Sequence, residues 1–206
     1  MGALVLILFL VLSSGHTHAQ APALVFEKLT IENGLSNNKV NCIIQDERGF
    51  IWIGTNDGLN RYDGHNFEIF RHEPGHASTI SGNIIRDMVE DKNGVLWIAT
   101  EDGGLSRYDH TLPPAKKFKQ YKHLPGDSNS IPVNMLNTMV ADSLGYLWLG
   151  TSGFRVLRFD PRTEKFSIPV KSGTRTILDL VLDKNGVIWA GKQGGGILKI
   201  NFRDLS

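Results

Sequence analysis

Apolar and β-branched residues in this chain come in short runs, and turn residues separate the runs at fixed offsets. Val40-Asn41-Cys42-Ile43-Ile44 is followed by Asp46-Glu47-Arg48-Gly49 and then by Phe50-Ile51-Trp52-Ile53-Gly54-Thr55. An aspartate that can bond its own backbone and a glycine that accepts positive φ make the middle segment a tight turn. The runs on either side are rich in strand formers. A second turn, Asn56-Asp57-Gly58, leads into Leu59-Asn60-Arg61-Tyr62, and Asn66–Phe70 supplies a fourth run. The pattern predicts four antiparallel strands in sequence order. No segment keeps a 3.6-residue apolar period, so helical repeats are excluded.

The unit occurs four times, over residues 46–63, 91–109, 142–160 and 183–201. All four tryptophans, Trp52, Trp97, Trp148 and Trp189, occupy one position in it, and Gly49, Gly94, Gly145 and Gly186 occupy another. Successive tryptophans are 45, 51 and 41 residues apart. Repeats of that length signal stacked or radial architectures. In the second strand of each unit both faces are apolar, so each small sheet must be covered on both sides. A small residue (Gly54, Ala99, Gly150 or Gly191) follows each tryptophan by two positions and leaves room for a neighbouring sheet. Sheets of this kind are the blades of a β-propeller. The expected fold is therefore all-β, with four four-stranded antiparallel meanders. A tryptophan packed between blades buries about 150–250 Å², and its truncation costs roughly 3–5 kcal/mol.

The consensus Asp-x-x-Gly-x-Leu/Ile-Trp-Ile-Gly-Thr, continued by Gly-Leu-x-Arg-Tyr-Asp, resembles the two-component regulator propeller repeat. The opening Phe26–Ser36 resembles the start of the same sensors, so the resemblance spans Phe26 to Asn201. It implies the periplasmic sensor region of a bacterial hybrid two-component histidine kinase, with a polysaccharide fragment as ligand. Larger members add a second propeller, a membrane-proximal sandwich and a kinase core, none of which follows before Ser206.

Residues 1–19 are read as a secretory signal peptide: an apolar run from Leu4 to Leu12, then Thr17-His18-Ala19 before the cut. The run is shorter than the ~20 residues of a membrane-spanning helix. Residues 20–206 are the propeller region, and the expected location is the periplasm. The net charge of +1 argues against a nucleic-acid partner held through phosphates. The single Cys42 reads as a buried, inert thiol.

Leu24–Ile31 matches the position of a fourth strand, and the last repeat lacks one. Two closures fit that count. The N-terminal strand completes the last blade of a four-bladed ring, or the chain is an incomplete part of a larger propeller, seven-bladed in the family. The spacings favour the second, because a four-bladed ring needs much steeper packing between blades.

No catalytic constellation, metal set or cofactor motif emerges, and the chain is read as non-enzymatic. Residues that differ between copies on one mouth are the binding candidates, because the scaffold does not demand them. They are Asn56, Asp57, Glu101, Asp102, Ser152, Phe154, Arg155, Lys192 and Gln193, with Asn38, Asn83 and Asn134 before the inner strands. Such amides and charges suit an oligosaccharide. Further blades, a sensor kinase or a second copy in a homodimer are the expected protein partners. The competing expectations are a small propeller lyase or glycan hydrolase, and a fragment with no independent role.

Overall fold

A computed structural model describes residues 25–153, 155–170 and 175–201. Residues 1–19, read above as a signal peptide, lie outside the described residues, as do Phe154 and Leu24. Blade 1 comprises β1 (Val40–Gln45), β2 (Ile51–Thr55), β3 (Gly58–Tyr62) and β4 (Phe67–Phe70). Blade 2 comprises β5 (Ile85–Glu90), β6 (Leu96–Thr100), β7 (Gly104–Tyr108) and β8 (Phe118–Tyr121). Blade 3 comprises β9 (Leu136–Ala141), β10 (Leu147–Thr151), β11 (Val156–Asp160) and β12 (Lys165–Val170). Blade 4 comprises β13 (Ile177–Leu182), β14 (Val187–Lys192) and β15 (Gly196–Asn201). Every blade is an antiparallel meander, four-stranded in the first three and, among the described residues, three-stranded in the last.

The repeated aspartate organises each first turn. Asp46 Oδ1 accepts the N–H groups of Arg48 and Phe50, and its Oδ2 accepts Trp52 Nε1 at 2.9 Å. Asp91, Asp142 and Asp183 make the same three bonds, those to the indoles of Trp97, Trp148 and Trp189 being 2.9, 2.8 and 2.9 Å. The turn closes on a glycine in the left-handed region, at φ +91° for Gly49, where a side chain would be strained. Across the next register, Trp52 faces Arg61, Trp148 faces Arg158 and Trp189 faces Lys199. Each cation lies over its indole, 5.9, 6.0 and 5.4 Å from the ring centroid. Turn, tryptophan and basic residue thus form one local unit, and this accounts for their fixed spacing.

The core lies between blades. Trp52 meets Tyr108 of blade 2 edge-on at 5.1 Å, and Trp97 meets Phe159 of blade 3 at 5.4 Å. Trp148 packs with Ile177, Leu180, Ile188, Ala190 and Ile200 of blade 4. These three indoles are buried. The small residue after each tryptophan makes the approach possible. A Cβ on Gly54 would lie 2.6 Å from Ile85 Cγ2, and one on Gly150 would lie 2.7 Å from Ile177 Cγ2.

Among the described residues no blade follows Trp189, which is 39% exposed. One expectation is corrected here. Val25–Thr30 form no strand, so the N-terminal segment does not complete blade 4. Isolated from a partner strand, its backbone turns into a 3-10 turn at Ile31–Asn33, capped by the Thr30 side chain. The four blades do not close into a ring, in line with the closure that the spacings favour, since the outer faces of blades 1 and 4 carry solvent-exposed apolar residues. The molecule is an open arc of four blades.

Candidate functional site

The innermost strands β1, β5, β9 and β13 stand side by side along the axis of the arc. Each begins with a bulge, where the register skips one residue: Asn41, Arg86, Asn137 and Leu178. A bulge leaves the extra residue outside the ladder and re-aims its side chain. Four repeats therefore bring four re-aimed side chains to one groove. Its volume is about 510 Å³, and Cys42, Asp87, Thr138 and Asp179 line the rest of it.

Three of the four bulged residues are held by the turn between strands two and three of their own blade. Asn41 Nδ2 donates to Asn56 Oδ1 at 2.9 Å, Arg86 pairs with Glu101, and Ser152 Oγ donates to Asn137 Oδ1 at 3.0 Å. Two of them also reach the next blade. Asn41 Nδ2 donates to the carbonyl of Ile85 at 2.8 Å, and Asn137 Nδ2 to that of Ile177 at 2.9 Å. In blade 4 the equivalent residue, Leu178, is apolar and exposed. Arg86 Nε is buried without a hydrogen-bond partner. The groove mouth is thus a row of amides, one guanidinium–carboxylate pair and one apolar surface.

Deeper in the groove, Asp87 Oδ1 accepts the N–H of Met88 at 2.8 Å and Oδ2 that of Met139 at 2.7 Å. The second bond ties blade 2 to blade 3. Burial, aided by the charge of Asp179, raises the Asp87 carboxyl above the ordinary range, and the bonds it accepts only partly oppose this. Burial and the Asp87 charge push the Cys42 thiol up to about 12, so it is a poor nucleophile. Among the described residues no group of three or more His, Cys, Asp or Glu could hold a metal ion.

The sequence-predicted candidates divide sharply. Asn56, Glu101 and Ser152 sit at the groove mouth and hold the bulged residues. Gln193 has the corresponding place in blade 4, its N–H donating to the Thr176 carbonyl. Asp57 turns away to Arg71 at 3.0 Å, and Asp102 rests against Gly82 of the linker. Asn38, Asn83 and Asn134 serve the scaffold. Their side-chain oxygens accept the backbone N–H groups of Ile31, His72 and His123 at 3.0, 2.8 and 2.7 Å. Arg155 lines a separate cavity of about 200 Å³ with Pro132, Val133 and Leu157. Lys192 folds over Gly195. Phe154 lies outside the described residues.

The bulged residues were missed by sequence reasoning. The signal was present: Asn41, Arg86, Asn137 and Leu178 each precede their tryptophan by eleven positions. A larger hollow of about 880 Å³ opens on the outer flank of blade 2, among Lys116, Lys119 and Lys122. The linker residues Gly75–Ser78 close its other side, and Lys119 is already paired with Glu164 at 2.5 Å. The central groove is where all four repeats converge.

Small all-β meanders, indoles between them and variable side chains around the axis define a propeller built of tryptophan repeats. Residues 34–57 and 79–102, which include the first two strands of blades 1 and 2, match the family Two component regulator propeller. Histidine kinase P4 of Formosa agariphila is 46% identical over 63 residues, which is 31% of this chain and 5% of that protein. The extracellular domain of BT3049 from B. thetaiotaomicron, described as a hybrid two component system, is 28% identical with a TM-score of 0.76. That match covers 87% of this chain and 25% of that one. Virginiamycin B lyase from Staphylococcus aureus shares the fold alone, at 14% identity and a TM-score of 0.58 over 82% of this chain and 57% of that one. Among the described residues no helix is long and apolar enough to cross a membrane.

Proposed function

We propose that this chain is a non-catalytic, periplasmic binding module that takes an oligosaccharide at the mouth of the central groove and reports it to a two-component kinase. The row of re-aimed side chains Asn41, Arg86 and Asn137, each held by its own rim residue, carries this reading. Amides and a guanidinium fixed in this way offer donors and acceptors at set spacing without further loss of side-chain freedom. The exposed Leu178 beside them suits the apolar face of a sugar ring. The similarity to extracellular domains of two-component systems supports the sensing role.

The groove offers little to a catalyst. Both oxygens of Asp87 accept backbone N–H groups, no histidine lines the cavity, and the Cys42 thiol is held protonated. Isothermal calorimetry of the folded chain against a panel of neutral and acidic glycans tests the proposal. Binding that is lost in Asn137→Ala supports it. Absence of heat across the panel, or release of cleaved sugar, overturns it.

A further inference from the structure

The linkers before blades 2 and 3 fold alike. In the first, the N–H of His72 donates to Asn83 Oδ1, that of Glu73 to Thr79 Oγ1 and that of His76 to the Glu73 carbonyl. In the second, the N–H groups of His123, Leu124 and Asp127 make the matching bonds to Asn134 Oδ1, Ser130 Oγ and the Leu124 carbonyl. One bond has no counterpart. In the second linker the N–H of Asn129 donates to Asp127 Oδ1 at 2.9 Å. His76 takes the place of Asp127 in the first, and Ser78 that of Asn129. Among the described residues the Ser78 N–H has no acceptor.

Ser78 lines the hollow of about 880 Å³ on the outer flank of blade 2. Gln120 of β8 fixes the linker there: its Nε2 donates to the carbonyls of His76, Thr79 and Ile80 at 3.2, 2.9 and 3.2 Å. Leu112, Ala115 and Leu124 give the hollow an apolar surface, and no lining residue is acidic. Two of its cations are neutralised from outside, Arg107 by Asp109 and Lys119 by Glu164, each at 2.5 Å. Lys116 and Lys122 also line it, and among the described residues neither makes an ion pair. Lysines on an outer strand would by themselves only guard an open edge. What sets this place apart is a donor without an acceptor, where the sister linker supplies a carboxylate.

We propose that the hollow binds an acidic oligosaccharide. One carboxylate or sulfate group of the sugar takes the place at Ser78 that the Asp127 carboxylate fills in the second linker. Lys116 and Lys122 supply the counter-charge, and bonds of this charge-assisted kind are stronger than neutral ones. The apolar side chains receive the C–H faces of the rings. The volume falls within the ~300–1,000 Å³ of small-ligand sites, and a concave site of this size fits a short chain, not a flat lipid surface. The site is built from blade 2 and the linker that precedes it, and is independent of the central groove.

Calorimetric titration of the folded chain with a uronic acid oligomer and with a sulfated oligomer tests this. At least one should bind at about 50 mM salt and lose affinity about tenfold or more at about 500 mM. His76→Asp supplies the carboxylate of the second linker and should cut the affinity about tenfold or more without lowering the melting temperature. Lys116→Glu should weaken binding to a similar degree. Lys117→Glu makes the same change of charge one residue away, outside the hollow, and should leave affinity within about twofold. Failure of both oligomers to bind, affinity untouched by His76→Asp, or equal losses with Lys116→Glu and Lys117→Glu would overturn the proposal. So would attachment to phosphatidylglycerol vesicles that neither oligomer displaces. Loss of acid-sugar binding with Asn137→Ala alone would place that ligand in the groove, overturning this proposal and leaving the groove reading intact.

Discussion

Trp148 Nε1 donates a 2.8 Å hydrogen bond to Asp142 Oδ2, six residues earlier and on the far side of the β9–β10 turn. The indole is fully buried against blade 4, so no water can take the place of that carboxylate. One aspartate therefore shapes the turn and satisfies the largest side chain of the interface between blades.

Asp142→Ala should destabilise the protein by about 2–3 kcal/mol, because it leaves a buried N–H unsatisfied and frees two turn amides. Asp183→Ala removes the same three bonds where Trp189 is open to water, so its effect should be clearly smaller. Melting temperatures of the two variants check the difference, and equal losses would contradict the packing described.

Gly54→Ala places a methyl about where Cys42 Sγ and Ile85 Cγ2 already lie, 2.5 and 2.6 Å away. Overpacking of that kind costs about 1–3 kcal/mol. Gly191→Ala meets nothing from a following blade and should leave monomer stability unchanged. Urea unfolding midpoints separate the two outcomes.

Acid should weaken blade 1 through Asp46. Burial alone would raise its carboxyl, but bonds from Trp52, Arg48 and the Phe50 N–H outweigh burial and hold it below the ordinary range. A carboxyl lowered in the folded state contributes stability above its unfolded value, near 3.9, and that contribution disappears as pH falls through the folded value. Asp87 has the opposite sign, since its raised carboxyl costs stability as pH rises. Asp46→Asn should therefore be less stable at neutral pH and should lose less on acidification below about pH 4. Urea midpoints measured against pH report it; an unchanged acid limb would remove Asp46 from the account.

Arg86→Ala should weaken binding of any glycan found in the calorimetric screen by about tenfold or more. It deletes the guanidinium at the groove mouth and leaves Glu101 without its partner. Asp57→Ala, whose carboxylate points away to Arg71, should change affinity little. Matched titrations of the two variants decide whether the ligand sits in the groove or on the outer rim.

The sequence alone determined the repeat, the strand order within each blade and the interblade role of the tryptophans. Those features rest on contacts within about six residues: an Asp that caps its own turn, a Gly at positive φ, a Trp bonded back to the same carboxylate. The variation of Asn56, Glu101 and Ser152 between copies was also visible in the sequence, and each contacts the bulged residue of its own blade. Only the tertiary structure decided that Asn38, Asn83 and Asn134 are spent on linker backbone, because their partners lie seven to eleven residues away. Only it showed Asn41, Arg86 and Asn137 turned toward the axis, since a bulge is a mismatch of register between two strands and neither strand encodes it by itself. The open edge at Trp189 has the same origin: its surface composition matches that of the three buried copies, and exposure depends on what packs across it.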